Sequence, residues 1–305
     1  MKPACPVMSV IVPVFNRASL IMPTLRSLEA QTAVPIEIIL IDNNSTDGSY
    51  ELLKEWSAKA WRRGFDIIVD RCAKPGASAA RNAGFALASA SWVMFFDSDD
   101  IMPPGHVADA LEAIRNNPDA DIIGWDYISR NGEKRRLNRF FGCDMMWNNL
   151  FHGAMSSARW CARASLVRRA GAWNEDVRYW DDIELGARML ALGPKIVYRG
   201  LSGVEVLEHA DSISASYMSD PARIEPALNS IAATLGQSLW PDIKRAIEYG
   251  LSSRAGNKLG LTLQRRLTAG KPLRQRLLLS FAYHHTRLGL RGAARLLKPF
   301  ANRQE

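Results

Sequence analysis

Apolar positions in the first hundred residues fall into four short blocks, at 8–14, 36–41, 65–69 and 92–96. Each is rich in Val, Ile or Phe, and each ends in Pro, Asn or Asp. Unbroken apolar runs of this length read as strands covered on both faces. The block starts lie 28, 29 and 27 residues apart, room for one strand and one returning helix. The intervening stretches 19–31, 49–63 and 77–88 fit helices, and Asn44-Ser45-Thr46-Asp47-Gly48 supplies turn and N-cap chemistry before the second. A βαβαβαβ order of this kind predicts an α/β fold with a mostly parallel sheet flanked by helices. Beyond Asp100 the rhythm is irregular. Pro103-Pro104 breaks the chain, 107–115 reads as a helix, 121–128 as a strand and Asn131-Gly132 as a turn. From about Ile224 the pattern is helical. Near its end Arg287, Arg291, Arg295 and Lys298 share one helical face and Leu290, Ala294, Leu297 and Ala301 the neighbouring one, with Gly289 and Gly292 weakening that helix.

Composition narrows the class without naming a chemistry. The 305 residues are 47% hydrophobic and 23% charged, an ordinary balance for a folded core. Cys5, Cys72, Cys143 and Cys161 are far apart with no Cys-X-X-Cys pair, which speaks against a disulfide framework or a zinc ribbon. No apolar run approaches the ~18 residues of a membrane span. The apolar N-terminal stretch 8–15 is short and contains Pro13, so it reads as a first strand and not as a signal peptide. The net charge of +8 is unevenly shared. Residues 244–305 hold 14 Lys and Arg against Glu248 and Glu305, leaving the rest of the chain mildly acidic. A basic tail of this kind suits an anionic lipid surface, and no basic-aromatic module for nucleic acid accompanies it.

Parallel sheets bind ligands at the carboxyl ends of their strands. Gly-X-Gly and the Gly-X4-Gly-Lys loop are absent, as are Gly-X-Ser-X-Gly and His-Glu-X-X-His. Those absences argue against a dinucleotide fold, a P-loop, a serine hydrolase elbow and a zincin. The strand ends carry carboxylates instead. Asp42 closes the second block, where it can act as a turn former or accept from a nucleobase or ribose. Asp97, Asp99 and Asp100 close the fourth, and Asp181, Asp182 and Glu184 lie further on. Asp97-Ser98-Asp99 is an Asp-X-Asp pair whose hard oxygens suit Mg²⁺ or Mn²⁺ completed by phosphate oxygens.

With those residues in view, five segments in register resemble family 2 glycosyltransferases of the GT-A fold. They are 9–17, ending Pro13-Val14-Phe15-Asn16-Arg17; 41–49, around Asp42; Ala80-Arg81-Asn82-Ala83-Gly84; Phe96-Asp97-Ser98-Asp99-Asp100; and 181–188. The resemblance spans about 8–216. It implies a GT-A domain over 1–216 with a Rossmann-like sheet, followed by a basic helical region over 217–305. It also implies inverting transfer from a UDP-sugar to a glycan or lipid-linked hydroxyl, assisted by Mn²⁺ or Mg²⁺. Carried over by position, Pro13, Phe15 and Asn16 line the base and ribose pocket, Asp42 contacts uracil, Arg81 borders the nucleotide and Asp97 the ribose or sugar. Asp99 and His209 are the metal-side residues, Asp182 the catalytic base, and Trp180 and Asp181 contact acceptor or sugar. Two positions depart from the family pattern: Pro75 ahead of Gly76, and Asp181 where many members have Glu. The expected setting is polysaccharide biosynthesis in the cytoplasm, peripheral on the inner face of the cell membrane through the basic tail. A nucleotide-sugar-binding scaffold and a sugar nucleotidyltransferase are the alternative readings.

Overall fold

The computed structural model describes residues 6–33, 36–60, 66–140, 144–207 and 220–301. Strands β1 (Met8–Val14), β2 (Ile36–Asp42), β3 (Asp66–Arg71) and β4 (Trp92–Phe95) alternate with helices α1 (Ile21–Glu29), α2 (Ser49–Ala60) and α3 (Ala77–Leu87). All four strands pair in parallel, β2 and β4 flanking β1 and β3 outside β2. Strand polarity then changes. After α4 (His106–Asn116), β5 (Ile122–Asn131) and β6 (Lys134–Asn138) form an antiparallel hairpin. Following α5 (Met145–His152), β7 (Trp160–Arg163) inserts antiparallel between β4 and β5. After α6 (Ala164–Arg169) and α7 (Asp181–Ala191), β8 (Ile196–Leu207) adds parallel to β5. The order is β3-β2-β1-β4-β7-β5-β6, a mixed sheet whose purely parallel part is the one legible in the sequence.

Continuous apolar runs suit β1 and β2 because successive side chains point to opposite faces and both faces are covered. Val10, Val12, Val14, Ile38 and Leu40 pack with Leu25, Leu53, Trp56 and Val107. Ile11, Ile39 and Ile41 pack on the other face with Phe85, Phe95, Leu166 and Leu185. The outer strand β6 is Lys-Arg-Arg-Leu-Asn and largely exposed, a charged edge that discourages further pairing.

The C-terminal helices are α8 (Glu225–Leu235), α9 (Trp240–Arg254), α10 (Lys258–Thr268), α11 (Leu273–Arg287) and α12 (Ala293–Ala301). Ile224, Leu228, Ile231, Ile243, Leu279 and Tyr283 from this region share one core with Leu150, Ile183 and Ala187. The basic region is therefore packed onto α5 and α7. The single basic helix expected across 287–301 is interrupted: α11 ends at Arg287, and Gly289 and Gly292 take φ of +81° and +93° before α12 begins. Two left-handed glycines break the helix where propensity had only weakened it.

Helix α7 is pinned from two sides. Glu184 is fully buried and takes a bidentate pair from Arg188, with Nη2 at 2.6 Å and Nε at 2.8 Å. Ser230 adds a third hydrogen bond to Glu184. On the other side Gly186 lets α5 approach, since a Cβ there would meet Met155 Cβ at 2.3 Å and Asn149 Nδ2 at 2.9 Å. Gly186→Ala should therefore push α7 off its seat. The expected loss is about 1–3 kcal/mol, visible as a Tm several degrees lower in a circular dichroism melt; an unchanged Tm would contradict this packing.

Candidate functional site

The loops leaving β1 and β2 are laced together. Asn16, with φ +50°, donates its N–H to Ser45 Oγ at 2.9 Å and accepts the Thr46 N–H on Oδ1 at 2.9 Å. Arg17 N–H reaches Ser49 Oγ at 2.8 Å and Ala18 N–H reaches Asp47 Oδ2 at 2.9 Å. Asn43 continues the lacing, donating to the Cys72 and Lys74 carbonyls and accepting from Gly76 N–H at 2.7 Å. Gly76 sits at φ +127°, a conformation essentially reserved for glycine, and α3 starts directly after it. Asn43 and Asp47 are structural anchors that the sequence pattern presented only as turn chemistry.

Asp42 lies at the mouth of this framework. Its residue is 1% exposed, Oδ2 accepts from Ser45 N–H at 3.3 Å, and Arg71 Nε stands 4.0 Å away. Oδ1 is buried without a hydrogen-bond partner among the described residues. A buried carboxylate oxygen left this way is a ready acceptor for a ligand N–H or O–H. Phe15, 56% exposed just past the end of β1, follows Val14, the register partner of Asp42, while Pro13 is half-buried.

The second half of the site gathers around Arg81. Its guanidinium is buried, donating from Nη2 to Asp97 Oδ1 at 2.9 Å and from Nη1 to Asp181 Oδ2 at 2.7 Å. It rests 4.3 Å over the Trp173 ring, a core residue that also meets Phe95 edge-on. Burial works against its charge, yet Asp181 and Asp97 raise its pKa above the ordinary value. Ser157 donates to the other Asp97 oxygen at 2.9 Å, and Ser78 donates to Asp181 Oδ2 at 3.0 Å. Neither serine carried a sequence signal for this contact. Asn82, the next residue of α3, ties down the Trp173 backbone and Glu175.

Asp182 occupies the start of α7 after Trp180, which holds a left-handed φ of +60°. The Asp182 carboxyl is pushed up to about 7 by burial, helped by Asp181 and Asp97, with the Ile183 N–H and Arg81 pulling the other way. The two adjacent acids thus differ in environment. Asp181 has Oδ2 taken by Ser78 and Arg81, while its Oδ1 accepts the Asp182 N–H at 3.1 Å. Asp182 Oδ1 accepts from Ile183 N–H at 2.7 Å.

Asp99 is partly exposed and stands 3.5 Å from Arg17 Nη2. Asp100 turns inward, accepting the Leu207 N–H, and burial with the charges of Asp97 and Asp99 pushes it well above the usual carboxylate range. His209 lies outside the described residues. Among the described residues no ready-made cluster of three or more His, Cys, Asp or Glu surrounds a metal position. The donor chemistry still fits Mg²⁺ or Mn²⁺, which take few protein oxygens when phosphates complete the shell. Crowding of Asp97, Asp99 and Asp100 at one strand end is the charge arrangement a divalent cation would relieve.

Residues 9–167 match the sequence profile of glycosyl transferase family 2, just over half of the chain. This chain belongs to glycosyl transferase family 2. Among curated members, the uncharacterized glycosyltransferase EpsJ of Bacillus subtilis is 28% identical over 190 residues, covering 58% of this chain and 54% of EpsJ. Glycosyltransferase GlyA of Streptococcus pneumoniae is 37% identical over 123 residues, 40% of this chain and 17% of GlyA. The chain thus spans about half the length of EpsJ and far less of GlyA. Staphylococcus aureus TarS 1–349 in complex with UDP-GlcNAc superposes with a TM-score of 0.71 at 17% identity, covering 96% of this chain and 91% of that one. The mannosyltransferase PcManGT from Pyrobaculum calidifontis, in complex with GDP-Man and Mn²⁺, gives 0.58 at 17% identity over 98% and 89%. The family 2 chain shares the GT-A fold of these enzymes.

The raised Asp182 pKa has a stability consequence. Its carboxyl binds a proton more tightly folded than unfolded, so stability should fall as pH rises from about 4 toward about 7. Asp182→Asn should remove that slope and raise the Tm above wild type at pH 8, with little difference at pH 4. Equal Tm values for the two proteins at pH 8 would refute the shift. Carbon NMR should place the Asp182 midpoint near 7 in wild type and higher in Arg81→Gln, because the neighbouring cation is gone.

Proposed function

We propose that this chain is an inverting, metal-assisted glycosyltransferase. It moves a sugar from a UDP-sugar to a hydroxyl of a glycan or lipid-linked acceptor in surface or extracellular polysaccharide biosynthesis. The observation that carries the reading is the convergence on Arg81, which ties Asp97 of the β4 end to Asp181 beside Asp182. A donor-side acid and the residue next to the candidate base are thereby held by one cation. Complexes of TarS with UDP-GlcNAc, PcManGT with GDP-Man and Mn²⁺, and the mycobacterial glucosyl-3-phosphoglycerate synthase with Mn²⁺ and UDP support the donor and metal assignments by analogy.

In this mechanism the orphaned Oδ1 of Asp42 accepts from the base, and Phe15, with Pro13 and Asn16 beside it, forms the wall against base and ribose. Arg81 is a positioning residue, since both of its terminal nitrogens are engaged by Asp97 and Asp181. Asp97, fixed on its other oxygen by Ser157, orients a hydroxyl of the ribose or the transferred sugar. Asp99, with His209, would hold the divalent cation, which when bound supplies Lewis-acid stabilisation of the departing diphosphate. Asp182 takes the proton from the acceptor hydroxyl as that oxygen attacks the anomeric carbon. A pKa near 7 suits that role at neutral pH. A single base opposite the leaving group gives inversion, as in inverting glycosidases. Asp181, hydrogen-bonded through both oxygens, is the poorer base, and with Trp180 it shapes the acceptor side. The domain division at 216/217 and a peripheral position on the inner membrane face complete the proposal. The latter is supported by the basic C-terminal region and by the absence, among the described residues, of a helix long and apolar enough to cross a membrane.

Calorimetric titration of UDP tests the donor site directly. Binding should strengthen with Mn²⁺ in wild type and lose that dependence in Asp99→Ala. Once the sugar is found, Asp182→Asn should lower kcat by about 10²–10⁴-fold with UDP affinity kept, and the wild-type rate should climb with pH through about 7. UDP binding indifferent to both Mn²⁺ and Asp99 would overturn the metal assignment, and full activity in Asp182→Asn would overturn the base.

A further inference from the structure

Helix α11 carries two opposed rows. At about 100° per residue, Leu279, Ala282, Tyr283 and Thr286 fall on one side of it, and Leu273, Leu277, Phe281 and the capping residue Leu288 fall on the other. The first row is buried. Leu279 and Tyr283 share a core with Ile183 and Ala187 of α7, and the Tyr283 hydroxyl donates to Ser253 Oγ at 3.0 Å. Gly250 of α9 lies so close that a Cβ there would meet the Tyr283 carbonyl oxygen at 2.6 Å. The inner row therefore seats the helix, and the outer row is left over. Its four side chains are 42% to 76% exposed.

A lone exposed leucine is ordinary, whereas large apolar side chains repeated along one helix face form a surface that something covers. His284 interrupts the row between Phe281 and Leu288. On a smaller scale α12 repeats the pattern, with Ala293, Leu297 and Ala301 buried and Leu296 and Phe300 exposed beside Arg295.

Charge identifies what fits there. Between Tyr249 and Gln304 the chain has 12 Lys and Arg and no Asp or Glu. On α11 itself Arg276 and Arg287 border the outer row on one side and Arg274 on the other, all three exposed. A second copy seated here by two-fold symmetry would bring arginine against arginine, because such an interface uses the same patch twice. An anionic bilayer meets both demands. Acyl chains cover the leucines, while guanidinium groups on flexible stems reach lipid phosphates at the edges of the row. At 15 residues α11 is too short to span the hydrocarbon, and among the described residues no helix is long and apolar enough to do so. The geometry is that of a helix lying in the plane of the interface.

We propose that the outer row of α11, Leu273, Leu277, Phe281 and Leu288, inserts at the headgroup boundary of an anionic membrane, with Arg276 and Arg287 on the lipid phosphates. This rests on the peripheral-membrane part of the reading above and specifies its contact, apolar insertion by one helix in place of charge attraction alone. Because the inner row packs with α7, the same contact holds the Asp182 helix in a set position relative to the bilayer.

The test sediments the full chain with vesicles of phosphatidylcholine alone, or of equimolar phosphatidylcholine and phosphatidylglycerol, at low and high salt. Wild type should bind the mixed vesicles only, and should keep part of that binding at high salt, where exposed charges are screened. Leu277→Gln/Phe281→Gln alters two exposed side chains. It should lower the partition coefficient by about tenfold or more with Tm and UDP affinity unchanged, and its residual binding should vanish at high salt. Arg276→Gln/Arg287→Gln should weaken binding chiefly at low salt. Wild-type binding of the mixed vesicles by the apolar double variant would overturn insertion by α11 and leave a charge-held peripheral position standing. Failure of wild type to bind either vesicle would overturn both. Concentration-dependent dimers in size-exclusion chromatography that disappear in the apolar double variant would give the face to a second copy and overturn the lipid assignment. UDP affinity measured on the same samples reports on the donor site separately.

Discussion

The buried guanidinium of Arg81 is the constraint on which the rest of the site depends. One side chain from α3 holds an acid at the end of β4 and another at the start of α7, two elements separated by more than eighty residues of chain. Without it Asp97 and Asp181 would stand close together with no counter-charge, and losing one member of such a network costs more than the intact network returns as stability. The arrangement is therefore better understood as positional than as stabilising. It sets where α7 begins, and hence where Asp182 lies relative to the strand ends.

Each acid in this cluster has been given a different environment from its neighbours. Asp97 and Asp181 are satisfied by Arg81 and by serine hydroxyls, Asp99 faces solvent beside Arg17, and Asp100 turns in toward the Leu207 N–H. Asp182 is left with burial and like charges, which favour its protonated form. Groups of one chemical type separated by environment in this way are the usual means by which a site obtains both a permanent anion and a proton acceptor near neutral pH. The left-handed Trp180 ahead of Asp182 is itself a strained backbone position, and the Glu184–Arg188 pair behind it braces the helix start.

The C-terminal helices bear on this geometry directly. Their core includes Ile183 and Ala187 of α7, and Lys244 of α9 lies over Trp180. The basic region is thus part of the support of the site.

The parallel half of the sheet, its helices and the five motif segments could be read from the chain because they rest on local information: apolar runs of strand length, turn residues and fixed spacing. Asp42, Asp97 and Asp99 were singled out for the same reason, standing where an apolar run meets a carboxylate, whereas Asp182 was marked only by its motif segment. Strands β6, β7 and β8 were not, because β6 is charged, β7 is four residues long and pairs with strands far away in sequence, and β8 pairs with β5 across some seventy residues. Ser78 and Ser157 gave no signal at all, since their importance comes from partners 60 to 103 residues distant. Composition and pattern determined the fold class and which acids could act. Only tertiary packing decided which of them are neutralised and which is desolvated, because those outcomes depend on burial and distance that no local pattern encodes.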